Sequence, residues 1–270
     1  MTALGRAIAA EFAKTFTTRM WWLLLLILVG YAGLGAAGIA FALTVAPQTP
    51  GAGGPQLGGL ELAPIVYSMA TASGFVFPLI LGAMSVTSEV RHRTLSTTFL
   101  ATPHRWMVLV GKLVVAAVLG AAYGVAGSAA TVGPGAAVLN AVGEDTQLGD
   151  GATWALVARM VLAMAIWGVV GVGIGVLIPS QVGSIVAILA FTQFVEPIAR
   201  TAAAFVDALS GVARFLPGAA SDALVGASFY STLAGGSDAL EWWQGGLVLA
   251  GYAVVFLVIG ATTFWRRDVT

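Results

Sequence analysis

Six stretches of this chain are apolar for close to the thickness of a lipid bilayer, and this excludes most folds before any other residue is weighed. A helix needs roughly 20 mainly apolar residues to cross ~30 Å of hydrocarbon. The stretches cover residues 21–45, 64–87, 107–132, 154–178, 182–195 and 242–265. A hydrated globule would need far more charge, since only 9% of the 270 residues are charged and 59% are hydrophobic, against about 25% charged in an ordinary soluble domain. The runs also lack the alternation of apolar and polar residues that a membrane barrel requires. The chain therefore reads as an all-α integral membrane protein with six transmembrane helices forming one domain over residues 1–270. The first run is too long for the 7–15-residue core of a cleaved signal. The fifth, 182–195, would rise only ~21 Å at 1.5 Å per residue; either it continues beyond Glu196-Pro197 or it stops partway.

Basic residues are segregated. Arg6, Lys14 and Arg19 precede the first run, Arg91, Arg93, Arg105 and Lys112 surround the second-to-third connection, and Arg266 and Arg267 follow the sixth. The loops 46–63 and 133–153 contain no Lys or Arg. By the positive-inside rule both termini face the cytoplasm of a cell membrane. Trp21, Trp22, Trp242, Trp243 and Trp265 stand at the ends of runs, where interfacial anchors belong. Arg159, the clear ionisable residue within a run, is placed to snorkel to the outer interface.

Segments outside the runs carry their own patterns. Leu4, Ile8, Phe12, Phe16 and Met20 recur at every fourth position, which predicts an amphipathic interfacial helix over residues 1–20. Residues 47–55 are too rich in Pro and Gly for regular structure. The stretch 196–241 alternates short apolar runs with charges and predicts short or re-entrant external helices before the last span. Gly120 with Gly124, and Gly171 with Gly175 beside Gly168 and Gly173, let helices approach closely, either within one subunit or across a dimer seam.

No site of chemistry is legible. The chain has no cysteine and only two histidines, His92 and His104, so thiolate and imidazole metal centres find no ligand set. Its net charge of zero offers no footing for nucleic acid. Walker, GxGxxG, HExxH and GxSxG patterns are lacking, and Gly111-Lys112 runs on into Leu113. The chain reads as a non-enzyme with no catalytic, cofactor or metal site.

The stretch 88–113 is the most informative: Glu89, four residues, Thr94-Leu95, a short helix to Thr102-Pro103, then Arg105 and Gly111-Lys112. It resembles the cytoplasmic segment of ABC type-2 exporter permeases. Six spans, the amphipathic leader, the last external loop and the terminal Phe264-Trp265-Arg266-Arg267-Asp268 are similar to that family too. The connection Pro179-Ser180-Gln181 departs from it in being very short and uncharged, and no ATPase domain lies within the chain. The resemblance implies a transmembrane subunit, paired with a second copy or a paralogue and with two cytoplasmic ATPase subunits that carry the ATP and magnesium. It implies export of an amphipathic or hydrophobic substrate such as an antibiotic, peptide or lipid. An ATPase-independent immunity or scaffold factor is the competing expectation.

Residues 88–106 form the expected ATPase-coupling segment, with Glu89, Arg91, Arg93, Thr94, Leu95, Phe99, Pro103 and Arg105 as its working residues. Leu95 and Phe99, four apart, share one helical face, which either docks in an apolar groove of the ATPase or folds back on the chain's own leader helix. Glu89 is expected to brace this lever with Arg91 and Arg93 nearby. By analogy with the family, Phe75, Phe77, Phe191, Gln193 and Phe194 would line a substrate path, or else pack helices and face lipid.

Overall fold

The computed structural model describes residues 2–45, 61–101, 104–206, 211–227 and 240–265. The Pro/Gly-rich connector, Pro103 and Arg266–Asp268 lie outside them. Among the described residues the chain is helical, with no strand, and six helices or helix pairs are long and apolar enough to cross a membrane. The protein is an all-α, multi-pass membrane protein.

The leader is α1, Ala3–Thr17, opened by the Thr2 hydroxyl accepting the Gly5 N–H at 3.2 Å. The first span is α2, Met20–Thr44. The second is interrupted, running as α3 (Leu62–Tyr67), α4 (Met69–Ala72) and α5 (Val76–Arg91). Hydroxyls account for the interruption: Ser68 Oγ donates to Ile65 O at 2.8 Å and Thr71 Oγ1 to Ser68 O at 3.0 Å, competing with the helical ladder. Thr131 in the third span donates to Tyr67 O at 2.9 Å, so the break is satisfied inside protein rather than left to lipid.

After α6 (Leu95–Ala101) the third span, α7, covers Arg105–Ala141. Its 37 residues reach ~55 Å, and it continues past Pro134, where a loop was expected. Proline costs one backbone N–H, but the Gly-Ala-Ala-Val-Leu run beyond it resumes the helix. The fourth span is α8, Gly151–Leu177. The fifth is full length: α9 (Gln181–Ala190) passes through a widened π turn (Phe191–Val195) into α10 (Glu196–Phe205). Pro197 explains the widening, because it cannot donate to the preceding turn and its ring would crowd that turn. Then come α11 (Pro217–Val225) and the last span, α12 (Trp242–Gly260).

The centre is α8, packed against α5, α7, α11 and α12, with α2 on the far side of α7. In lipid, apolar faces gain little by leaving the solvent, so packing has to come from close approach. A Cβ on Gly120 would sit 2.5 Å from Met164 O, and one on Gly171 would collide with Leu79 O. A Cβ on Gly175 would meet Ala83 O at 2.6 Å and one on Gly173 would meet Phe256 Cβ at 2.9 Å. These glycines pack helices within one chain. Arg159 is half-buried and lies over the Trp242 ring at 5.1 Å, a cation–π contact that fastens α8 to the last span.

Gly171→Ala should therefore lower the thermal stability of the purified protein, as overpacking by about 1–3 kcal/mol does. Gly38→Ala, on an open helix surface with nothing within 4 Å, should leave the melting temperature unchanged or raise it slightly. Equal melting temperatures for both variants would mean that α5 and α8 are not in this contact.

Candidate functional site: a buried four-charge cluster

Lys112 lies two turns into α7, where its side chain has no exposure at all. An ammonium has three protons, and an isolated one in an apolar surrounding is costly by several kcal/mol. All three are used here. Lys112 Nζ donates to Glu11 Oε2 at 2.7 Å, to Glu89 Oε1 at 2.9 Å and to the Ser85 carbonyl at 2.7 Å. Lys14 adds the second cation, donating to Glu11 Oε1 at 2.6 Å, to Glu89 Oε1 at 2.8 Å and, more weakly, to Thr98 Oγ1 at 3.4 Å.

Two cations thus meet two anions. Glu11 is saturated, with one lysine on each oxygen, while Glu89 takes both lysines on Oε1 and its buried Oε2 has no partner. The four residues come from three helices. Glu11 and Lys14 sit three apart on α1 and share a face, Glu89 ends α5, and Lys112 belongs to α7. Gly111 makes the approach possible: a Cβ there would meet Glu11 Cγ at 3.2 Å and Ala7 O at 3.5 Å. Gly-Lys at the head of the third span is thus a contact surface followed by a charge.

Partial burial works against the Lys14 ammonium, but its hydrogen bonds to Glu11 and Glu89 and their negative charges outweigh that and hold its pKa above the ordinary lysine value. A raised folded pKa stabilises the folded protein below the unfolded lysine pKa, and that contribution fades as pH rises through the folded one.

The coupling segment is arranged differently from expectation. Glu89 pairs with Lys14 and Lys112, not with Arg91 or Arg93. Arg91 Nη1 instead donates to Gln181 Oε1 at 3.1 Å, linking the end of α5 to the start of the fifth span. Arg93 is exposed and takes a left-handed conformation (φ 55°) in the turn between α5 and α6. Thr94 opens α6 by accepting the Thr97 hydroxyl at 2.7 Å.

Leu95 and Phe99 do share a face, but it turns inward. Leu95 is 3% exposed and joins Val86, Val108, Ala116, Val172 and Val176 in a small core, with Phe99 packed against it. The physical reason is local, because α5 and α7 flank the short helix and offer an apolar floor. Arg105 stacks over the Phe99 ring at 5.0 Å. Ser96, Thr97 and the 83%-exposed Leu100 face outward. A cavity of about 230 Å³ opens between α1 and α6, lined by Ala7, Ala10, Glu11, Lys14, Thr97, Thr98 and Val108.

The five expected path residues do not share one surface. Phe75 is buried and stacked on Trp167 at 4.4 Å, and Phe77 lies 6.4 Å from Tyr31. Phe191, Gln193 and Phe194 are exposed on the fifth span. Among the described residues no group of three His, Asp or Glu side chains is placed to hold a metal. Comparison with protein-family models and with curated proteins returns no match.

Glu11 and the burial of Lys112 escaped the reading of the sequence. Lys112 was the usable signal: a lysine inside an apolar run requires a carboxylate, and Glu11 and Glu89 are among the few acids on the same side of the runs.

Lys112→Met should destabilise the protein by about 3–5 kcal/mol, because it strands two buried carboxylates beside one lysine. Adding Glu89→Gln should recover part of that loss in denaturant titrations; simple additivity of the two changes would show that the residues do not interact. A spin label at exposed Ala13 should keep its mobility from neutral into mildly alkaline solution and be freed only above the ordinary lysine pKa. Release near neutral pH would contradict the sign of the Lys14 shift.

Proposed function

We propose that the chain is the membrane-spanning permease subunit of an ATP-driven exporter in the plasma membrane, with both termini and the four-charge cluster on the cytoplasmic side. The observation that carries the reading is the clamped connection between the second and third spans. Glu89 and Lys112 tie the two spans that enclose α6 to each other and to the leader helix, and Arg91 extends the tie to the fifth span. A segment held this way moves its spans as a unit when a partner pushes on it. The resemblance of Glu89–Lys112 to the ABC type-2 segment supports the same reading, as does the clustering of basic residues at this end.

In this proposal the chain has no ATP chemistry of its own. Two ATPase subunits supply it, and a second permease chain completes the passage. Binding of ATP favours one arrangement of the spans over another, so the work is population shift rather than catalysis within the membrane. The substrate class is amphipathic or hydrophobic. The docking face is the outward side of α6 and its flanking turns: Arg91, Arg93, Thr94, Ser96, Thr97, Leu100 and Trp106, the last 55% exposed. Leu95 and Phe99 support that face from beneath.

Leu100→Arg or Thr97→Arg should reduce co-purification of a Walker-containing ATPase by at least about tenfold while the permease inserts normally. Leu95→Arg should lower the yield of folded protein instead, because it buries an unpaired charge. Undiminished export in both outward variants would remove α6 from the mechanism. A chain isolated in gentle detergent with no stoichiometric ATPase would favour the ATPase-independent reading.

A further inference from the structure

Within the fifth span, away from the charge cluster and beside the middle of α12, a second buried carboxylate serves a different contact. Glu196 is 3% exposed and starts α10 directly after the π turn. Its Oε1 accepts the Ala219 N–H at 3.1 Å, with the Gly218 N–H also directed at the carboxylate. These amides belong to the first turn of α11, which has no capping side chain of its own. Glu196 therefore caps α11 from another helix, supplying the negative charge that a helix amino end favours. One turn further along both helices, Arg200 and Asp222 form an ion pair.

The second oxygen, Oε2, is buried and accepts nothing, a cost that Glu89 Oε2 bears equally in the charge cluster. What sets this contact apart is its place beside the widened turn of the fifth span. Pro197 has no N–H to return to the preceding turn, and the Glu196 N–H reaches back five residues to Phe191 O. Hydroxyls of Thr192 and Thr201 bond Ile188 O and Pro197 O, both at 2.8 Å, on either side of the widened turn.

We propose that Glu196 is a releasable latch. The π turn is its hinge, and detaching the carboxylate from the amino end of α11, with the Arg200–Asp222 pair opening one turn further on, lets α10 swing away from α11 while α9 and α11 keep their places. Gly218 is required for closure, since a Cβ there would fall less than 3 Å from the Glu196 carboxylate. The inference concerns this chain alone and stands independently of the transport reading.

The test uses the full chain in lipid nanodiscs, without partner or ATP. The protein has no cysteine, so spin labels can be placed cleanly at Phe205, exposed at the end of α10, and at Gly149, which has open space around it. The unsubstituted pair should give one dominant distance. Glu196→Ala and Gly218→Ala, which break the same contact from its two sides, should both bring up the same second distance and raise its population about five- to tenfold, the usual effect of losing a helix cap. Glu196→Gln keeps an acceptor oxygen and should restore the single distance, and Gly211→Ala, with open space around it, should not alter it. An unchanged distance in both breaking variants overturns the latch. So does a second distance that appears only with complete amide exchange across Pro217–Val225, because α11 has then unfolded rather than parted from α10.

Discussion

Burial of the Lys112 ammonium is the constraint on which one end of this molecule depends. Water is unavailable to it, and removing a charge from water costs several kcal/mol unless every proton finds an acceptor. Two carboxylates and a backbone carbonyl supply those acceptors. Because the carboxylates sit on α1 and α5, satisfying one side chain fixes three helices. Lys14 then balances the second negative charge, leaving a cluster with no net charge to attract solvent.

This explains why an amphipathic leader can be held firmly against a bundle to which it offers few apolar contacts. Ala7 and Glu11 are its buried residues and Phe12 packs against the core, whereas Phe16 from its apolar stripe remains exposed. The charge cluster thus supplies much of what holds α1 to the bundle. Elsewhere the logic reverses, and backbone-to-backbone approach at Gly120, Gly171 and Gly175 replaces ionic contact. The hydrophobic windows of the second and fourth spans are each 61% buried, against 22% for the first, fifth and sixth. The rigid part is therefore α5, α7 and α8, with the other spans applied to its outside.

The apolar runs carried the fold because lipid imposes a minimum length and few residues are exempt from it. Glycine spacing marked the close contacts but could not say whether they lay within a chain or between chains; the positions of Met164, Leu79 and Ala83 place them within it. Periodicity put Leu95 and Phe99 on one face, yet nothing in a local pattern states which way a short helix turns when two longer helices flank it. Glu11 was hidden for a related reason. Reading α1 by its apolar stripe treats everything beside it as solvated, whereas Glu11, two turns on from Leu4 at the stripe's edge, lies against Lys112, 101 residues away in sequence.

The charge cluster and the Glu196 contact differ in what it takes to open them. Separating α1 from α7 would strand charges that are almost fully desolvated, a change on the order of 3–5 kcal/mol when one partner is lost. Parting Glu196 from α11 gives up a helix cap, about 1 kcal/mol, and opening the helices further also separates Arg200 from Asp222. Backbone geometry points the same way, since the second and third spans meet the charge cluster as unbroken helices, whereas the fifth span reaches Glu196 through a π turn and a proline. In the transport reading proposed above, a push at the charge cluster would carry α1, α5 and α7 together, and the widened turn before Glu196 is where the fifth span could bend.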